Sequence, residues 1–233
     1  MAKRGGSRHY KRLTVPTSLP VVGRKHIHWL LSPKPGPHPR NSALALGVLL
    51  RDSLHVGVDL REVKKSVVTG SIKVDGKIVR DIRRPIGLMD IIEIPKMGKT
   101  WRMQIAGGRL SPKEIEGALA KHKLCKVTGK RTITGKQVQI TLHDGRTMKA
   151  DDSVKMGATL ALSVPAFKIE KQLAMAPGVR CLITKGKHAG EIAVLENVIE
   201  RVGSMDSEAK MKSGGENFIT VTKYLFVVDD QFA

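Results

Sequence analysis

The first acidic residue of this chain is Asp52. Ten Lys or Arg, six of the eleven prolines and four of the eight histidines come before it. Pro33, Pro35, Pro37 and Pro39 alternate. Each removes a backbone donor and turns the preceding residue away from helix. Residues 1–41 are therefore expected to form a basic, extended arm that cannot bury enough apolar surface to fold alone. Leu13, Val15, Leu19, Val21, Ile27 and Trp29 give it anchors that a plain tail lacks. Such an arm suits ordering against a polyanion, and a structured RNA is the usual one.

The remaining totals agree. The 233 residues suffice for two or three small domains. The formal net charge of +20 keeps the free protein soluble but self-repelling, which phosphates would relieve. No apolar run reaches membrane-spanning length, and no secretory signal pattern follows the first residues, so no membrane partner is expected. Cys125 and Cys181 stand far apart, which makes neither a disulfide framework nor a zinc site and points to a reducing cytoplasm. Aromatics at 3% argue against a base-stacking platform. From Glu191 onward eight Asp or Glu face four Lys or Arg, so the C-terminal end should be partly turned away from nucleic acid.

Residues 42–95 carry the pattern of a small module. Ser42 is placed to cap a helix with Leu46, Leu49, Leu50 and Leu54 on one face. Asp59 and Glu62 form a capping-box pattern for a second helix, with Leu60, Val63 and Val67 inward and Gly70 just past its end. Asp75-Gly76 between alternating residues predicts a tight hairpin, and Ile91–Ile94 a further strand. Residues 96–175 alternate like short strands, with Asp144-Gly145 marking another turn. One helix is expected there: Ser111 as cap, Pro112 first, Glu114 following, with Ile115, Ala118 and Leu119 buried. In 176–233, "GVRCLITKGKHAGEIAVLENV" reads strand, glycine turn, strand, and the alternating "NFITVTKYLFVV" would close a small barrel.

Enzyme motifs fail on inspection. Gly98-Lys99-Thr100 would need a glycine where Glu93 stands, and Gly186-Lys187 would need one at Cys181 and a hydroxyl at His188. His26 and His28 lack partners at metal-finger spacing and read better as stacking or hydrogen-bonding groups. No Ser, His and Asp grouping suggests a hydrolase. No catalytic residue, metal, cofactor or small-molecule substrate is expected.

Two helices, a hairpin and a dense basic ridge resemble the RNA-binding module first known from the bacterial small-subunit protein S-four. In pseudouridine synthases that carry this module, a Gly-Arg-Leu-Asp string supplies the nucleophile; here Gly108-Arg109-Leu110 is followed by Ser111, so the carboxylate is missing. The string from Val179 to Val194 resembles the KOW motif. Taken in order, "RGGSRHYKRL", "PGPHPR", "VDGKIVRDIRRPIG" and "LITKGKHAGEIA" resemble one family along nearly the whole chain: the small-subunit ribosomal protein S4e of archaea and eukaryotes, here in its archaeal form.

The resemblance implies an α+β, multidomain fold. It would comprise a basic arm (1–41), a small α/β RNA-binding module (42–95), a β-rich central domain (96–175) and a C-terminal SH3-like β-barrel with the KOW motif (176–233). It implies a structural constituent of the small ribosomal subunit, in the cytoplasm, whose partners are small-subunit ribosomal RNA and neighbouring ribosomal proteins. The candidate RNA-binding residues are Arg4, Arg8, Lys11, Arg12, Arg24 and Lys25 in the arm. In the module they are Lys64, Lys65, Lys73, Lys77, Arg80, Arg83 and Arg84, and at the KOW tip Lys185 and Lys187. The rival readings are an RNA-modifying enzyme, which turnover on RNA would reveal, and a KOW-type transcription elongation factor, which would co-sediment with polymerase instead of the small subunit.

Overall fold

The computed structural model describes residues 9–229 apart from Val22, Ala118, Lys136 and Ser204. Arg4 and Arg8 lie outside the described residues. The chain divides into two compact units, one running to Met103 and adding Leu110–Ile115, the other holding Gln104–Arg109 and everything from Glu116. The fold is mixed α/β and rich in strands.

In the first unit, β1 (Tyr10–Lys11) and β2 (Trp29–Leu30) pair antiparallel and close the arm into a loop. Val15, Leu19 and Val21 are buried, whereas Leu13, Ile27 and Trp29 are exposed. The described residues of the arm thus pack on their own chain, contrary to the expectation from its composition. The reason is that half of its apolar anchors find protein partners. His38 shows how closely it docks: its Nε2 lies 3.1 Å from Asp90 Oδ1, and both side chains are buried. The other Asp90 oxygen accepts the Gly87 N–H at 2.9 Å. A Cβ on Gly87 would sit 2.4 Å from His38 Cγ, so only glycine lets the ring lie against the backbone there.

β3 (Leu44–Ala45) leads into α1 (Leu46–Val48), which widens at once into a π-helical turn over Leu49–Ser53. Every residue from Ala43 to Leu50 is buried. Complete burial of each such Leu or Val is worth roughly 1.5–3 kcal/mol. Ser42 does not cap this helix; it ends a separate 3₁₀ turn over Arg40–Ser42. The expected amphipathic helix is instead a short, fully enclosed one.

α2 (Leu60–Val68) forms as its sequence predicts, with Val63 and Val67 inward. The capping box is not made: Asp59, the N-cap, makes no side-chain cap, and Glu62 Oε2 accepts the N–H of Val58, one residue before it, at 3.0 Å. Gly70 follows at φ +78°, the left-handed turn that stops a helix. β4 (Lys73–Val74) and β5 (Lys77–Ile78) are joined by Asp75 and Gly76, both at positive φ, which is the tight hairpin the Asp-Gly pair demands. β6 (Pro85–Ile86) pairs with β3. β7 (Ile91–Ile94), β8 (Lys99–Ala106) and β9 (Arg109–Glu114) complete a five-stranded sheet in the order β5-β4-β7-β8-β9.

β9 overturns the expected helix at Ser111. The stretch is an edge strand, and the first helical turn after it is a 3₁₀ segment, Leu119–Lys121. Gly107 and Gly108, at φ +54° and +73°, turn the chain back along β8. Pro112 is tolerated because an edge strand leaves one side of its backbone unpaired. Hairpin formation with β8 outweighs a good local helix start.

The second unit holds two more antiparallel sheets. β10 (His122–Ile133), β11 (Gln137–Leu142), β12 (Thr147–Ala150), β13 (Thr159–Ser163) and β14 (Ile169–Leu173) form one in the order β12-β11-β10-β13-β14. Cys125, Val127, Ile140, Leu142, Leu160 and Leu162 are in its core. β15 (Arg180–Ile183), β16 (Ile192–Ile199), β17 (Glu208–Ser213), β18 (Glu216–Val221) and β19 (Leu225–Val227) form the other in the order β18-β17-β16-β15-β19, around Cys181, Leu195, Met211 and Leu225.

Two lysines, Lys123 buried and Lys126 half-buried, are matched inside this unit. Lys123 is fully buried, with its Nζ 3.4 Å from Asp144 Oδ2; Arg146 Nε approaches the same oxygen at 3.2 Å. Burial works to raise the Asp144 carboxyl, but Lys123, His143, Arg146 and the Arg146 backbone N–H together hold it below its ordinary 3.8. Lys126 donates to the backbone oxygens of Lys223 (2.9 Å), Leu225 (2.6 Å) and Thr222 (3.4 Å), tying β10 to the segment before β19. Burial draws its ammonium down to about 8. Cys125 and Cys181 are buried thiols, and burial pushes Cys181 up to about 11, which makes it inert.

Gly87→Ala is expected to destabilise the protein by about 1–3 kcal/mol through the clash with His38, read from urea denaturation. The folded-state pKa of Asp144 is depressed, so its contribution is complete above its ordinary 3.8 and disappears as pH falls through the folded value. Asp144→Asn is expected to cost about 3–5 kcal/mol at neutral pH. The gap from wild type should narrow on acidification below pH 4 or so, measured by denaturation across pH.

Candidate nucleic-acid interface

Several of the sequence-predicted cations lie exposed between residues 60 and 80. α2 turns Lys64 and Lys65 to solvent, in its last two turns, where positive charge complements the helix dipole. The hairpin continues the surface: Lys73 pairs across from Ile78, and Lys77 across from Val74. A Cβ on Gly70 would lie 3.2 Å from Ile78 Cγ2 and 3.9 Å from Arg80 Nε, so the helix end and the hairpin adjoin. Lys64, Lys65, Lys77 and Arg80 are exposed, and Lys73 is half-buried. The structure therefore gathers five of the sequence-predicted residues on one supersecondary unit. Val68 and Ile78 are also exposed among these residues, at 52% and 57%.

Arg83 and Arg84 behave differently. Arg83 Nε donates to the Ser32 carbonyl at 3.0 Å, and its own carbonyl accepts the Lys34 N–H at 2.8 Å. Asp81 closes the clasp, accepting from the Arg83 N–H (2.9 Å) and from Lys34 Nζ (2.6 Å). Slight burial works to raise the Asp81 carboxyl, but Lys34 and Arg83 outweigh it and lower its pKa. Arg84 is half-buried, and its carbonyl accepts the Leu46 N–H at 2.9 Å. Arg83 and Arg84 thus hold the arm and α1 to the hairpin strand as well as contributing charge.

Two arm residues expected to contact RNA turn inward. Arg12 is 5% exposed, with Nη2 2.8 Å from Asp52 Oδ2. Asp52 also accepts from Arg51 Nε at 2.6 Å, within the π-helical turn. Arg24 donates to the carbonyls of Val15 (2.9 Å) and Pro16 (3.1 Å). The folded-back arm spends these guanidinium groups on its own structure. Lys11 and Lys25 remain exposed. The sequence reading missed Lys34 and Arg40, whose positions among the alternating prolines were the available signal.

In the second unit, Lys185 and Lys187 are exposed on the loop between β15 and β16, with Gly186 at φ +97° between them. His188 stacks on Phe218 at 4.2 Å and 15°, and its Nδ1 lies 3.1 Å from Glu191 Oε2, which steadies the loop. Gly190 serves packing: a Cβ there would lie 3.1 Å from the Gly107 nitrogen and the Ile105 carbonyl oxygen. Ile192 and Val194 face outward, and their neighbours Ala193 and Leu195 fill the core. Among the described residues, no cluster of three or more His, Cys, Asp or Glu could hold a metal ion. No helix among the described residues is long and apolar enough to cross a membrane.

A cationic ridge on a small helix–hairpin module, joined to strand-rich sheets, is the architecture of basic nucleic-acid-binding proteins. The profile of Ribosomal family S4e matches residues 97–169. The small ribosomal subunit protein eS4 of Methanothermobacter thermautotrophicus is 34% identical over 98% of this chain and 95% of its own. That of Korarchaeum cryptofilum is 37% identical over 96% of this chain and 97% of its own. The crystal structure of the 30S ribosomal protein S4e from Thermoplasma acidophilum superposes with a TM-score of 0.70 at 32% identity, covering 80% of this chain and 94% of that one. The chain belongs to the S4e family of small ribosomal subunit proteins, in its archaeal form.

Asp52→Ala would leave Arg12 buried without its carboxylate and is expected to cost about 3–5 kcal/mol. Because the loss falls on the arm, amide exchange at Tyr10 and Leu30 should accelerate before that of the β10–β13 ladder.

Proposed function

We propose that this protein is a structural constituent of the small ribosomal subunit that binds ribosomal RNA and stabilises its folded state. Its site is the ribosome in the cytoplasm, and its role is in translation. The observation that carries this reading is the exposed ridge of Lys64, Lys65, Lys77 and Arg80 in a chain of net charge +20. Lys73, Arg83 and Arg84 flank it, Lys11 and Lys25 extend it along the arm, and Lys185 and Lys187 add a separate loop contact. Arg4 and Arg8, which precede the described residues, belong to the same proposed set.

The proposed organisation is the arm (1–41), the S-four-type module (42–95), the β-rich central domain (96–175) and an SH3-like barrel bearing the KOW loop (176–233). The sheet built from β15 to β19 around one core and the glycine loop between β15 and β16 support the last of these. Partners are small-subunit ribosomal RNA and the ribosomal proteins beside it. Affinity comes chiefly from counterion release, with a log–log salt slope of roughly −0.7 to −0.9 per phosphate contacted. Specificity comes from RNA shape. No catalytic step, small-molecule substrate or cofactor is part of this reading.

The test is the triple variant Lys64→Glu, Lys65→Glu, Arg80→Glu, which leaves the arm's clasps untouched. It should keep the wild-type melting profile yet vanish from the small-subunit fraction of a sucrose gradient, with a salt slope of RNA binding smaller by about three phosphates' worth. Normal incorporation would refute the ridge assignment, and co-sedimentation of the wild type with RNA polymerase would favour an elongation factor instead.

A further inference from the structure

The arm folds its scattered aromatic residues into one place. Trp29 on β2 stays 52% exposed although it pairs across from Lys11 within a ladder. Its neighbours meet it edge-on or tilted: His28 at 4.5 Å and 83°, His9 at 5.4 Å and 51°. Neither ring lies parallel to the indole, so these contacts orient it without stacking on it. Trp29 borders a hollow of about 1020 Å³ whose other walls include Tyr10, Lys34, His38, Arg40 and Arg83. No acidic residue lines it. Arg40 lies over the Tyr10 ring at 4.1 Å from its centroid.

A flat aromatic surface and a cationic rim are what an extruded nucleotide needs, the one for its base and the other for its phosphate. A regular duplex could offer only phosphates here, because its bases are stacked within the helix. The Lys34–Asp81 pair is exposed on both sides, so a phosphate can take the aspartate's place at little cost. We propose that this hollow receives a single unstacked nucleotide of the bound RNA, its base lying on Trp29 and its phosphate against Arg40 and Lys34. The proposal rests on the RNA-binding role above and adds to it a single-strand contact that composition argued against.

Trp101 is buried, so quenching of tryptophan fluorescence by a ligand in this hollow reports Trp29, and Trp101→Phe in the full chain isolates it. The probes are a single-stranded RNA, a duplex RNA of equal length and a mononucleotide. The single strand should quench Trp29, while the duplex binds without quenching and the mononucleotide does neither at matched concentration. Trp29→Ala should weaken single-strand binding by about five- to hundred-fold with an unchanged salt slope. Trp29→Phe should retain most of the affinity, and duplex binding should be indifferent to both. Quenching by the mononucleotide at higher concentration would support the proposal, whereas equal quenching by duplex, or unaltered single-strand affinity in Trp29→Ala, would each overturn it. In those cases duplex binding lost in the ridge variant would leave the ribosomal reading standing. Binding to none of the RNAs would sink both.

Discussion

Three carboxylates of the module take hold of an arm that has none of its own. Asp52 binds Arg12 at 2.8 Å, Asp81 binds Lys34 at 2.6 Å, and Asp90 meets His38 at 3.1 Å. The first and third lie buried, where removing one partner is far more costly than for a surface pair. The two buried contacts decide the path of the arm, and the path decides which cations remain outside. The hollow bordered by Trp29 exists because the arm is held at both ends, at β1 with β2 and at the clasp around Arg83.

The economy of charge in this protein follows from that arrangement. A chain at +20 cannot satisfy its cations internally, with 41 Lys and Arg against 21 Asp and Glu. It uses carboxylates where a long-range contact must be specified and leaves the surplus on solvent-facing elements. Lys64 and Lys65 on α2, and Arg80 after the hairpin, are exposed in this way. Two lysines drawn out of solvent follow the opposite rule: buried Lys123 has Asp144, and half-buried Lys126 has three carbonyl oxygens. Family membership and the ridge thus point the same way, toward a protein that supplies shape and positive charge to RNA.

Much of the ridge was legible beforehand. Asp75-Gly76 can only be a tight turn, and α2 shows its buried face in Val63 and Val67, which leaves Lys64 and Lys65 outside by geometry alone. Arg12 and Arg24 carried the same charge signal as Lys11 and Lys25, yet Arg12 is buried against Asp52 and Arg24 is held by two backbone carbonyls. Nothing in their immediate neighbours marks the difference. The Ser111-Pro112 start signal was equally misleading, since a local preference worth about a kcal/mol yields to a whole hairpin.

What the sequence determined by itself was local or additive. The strand-rich character, the glycine turns, the α2 face and the excess of cations each depend on residues a few positions apart, or on totals. Tertiary structure alone decided the fate of individual side chains. Arg12 meets an acid 40 residues away, Lys34 one 47 away and His38 one 52 away. Contacts at such separations are fixed by how the chain closes its loops and packs its core, and no window of sequence short enough to show a period contains both partners.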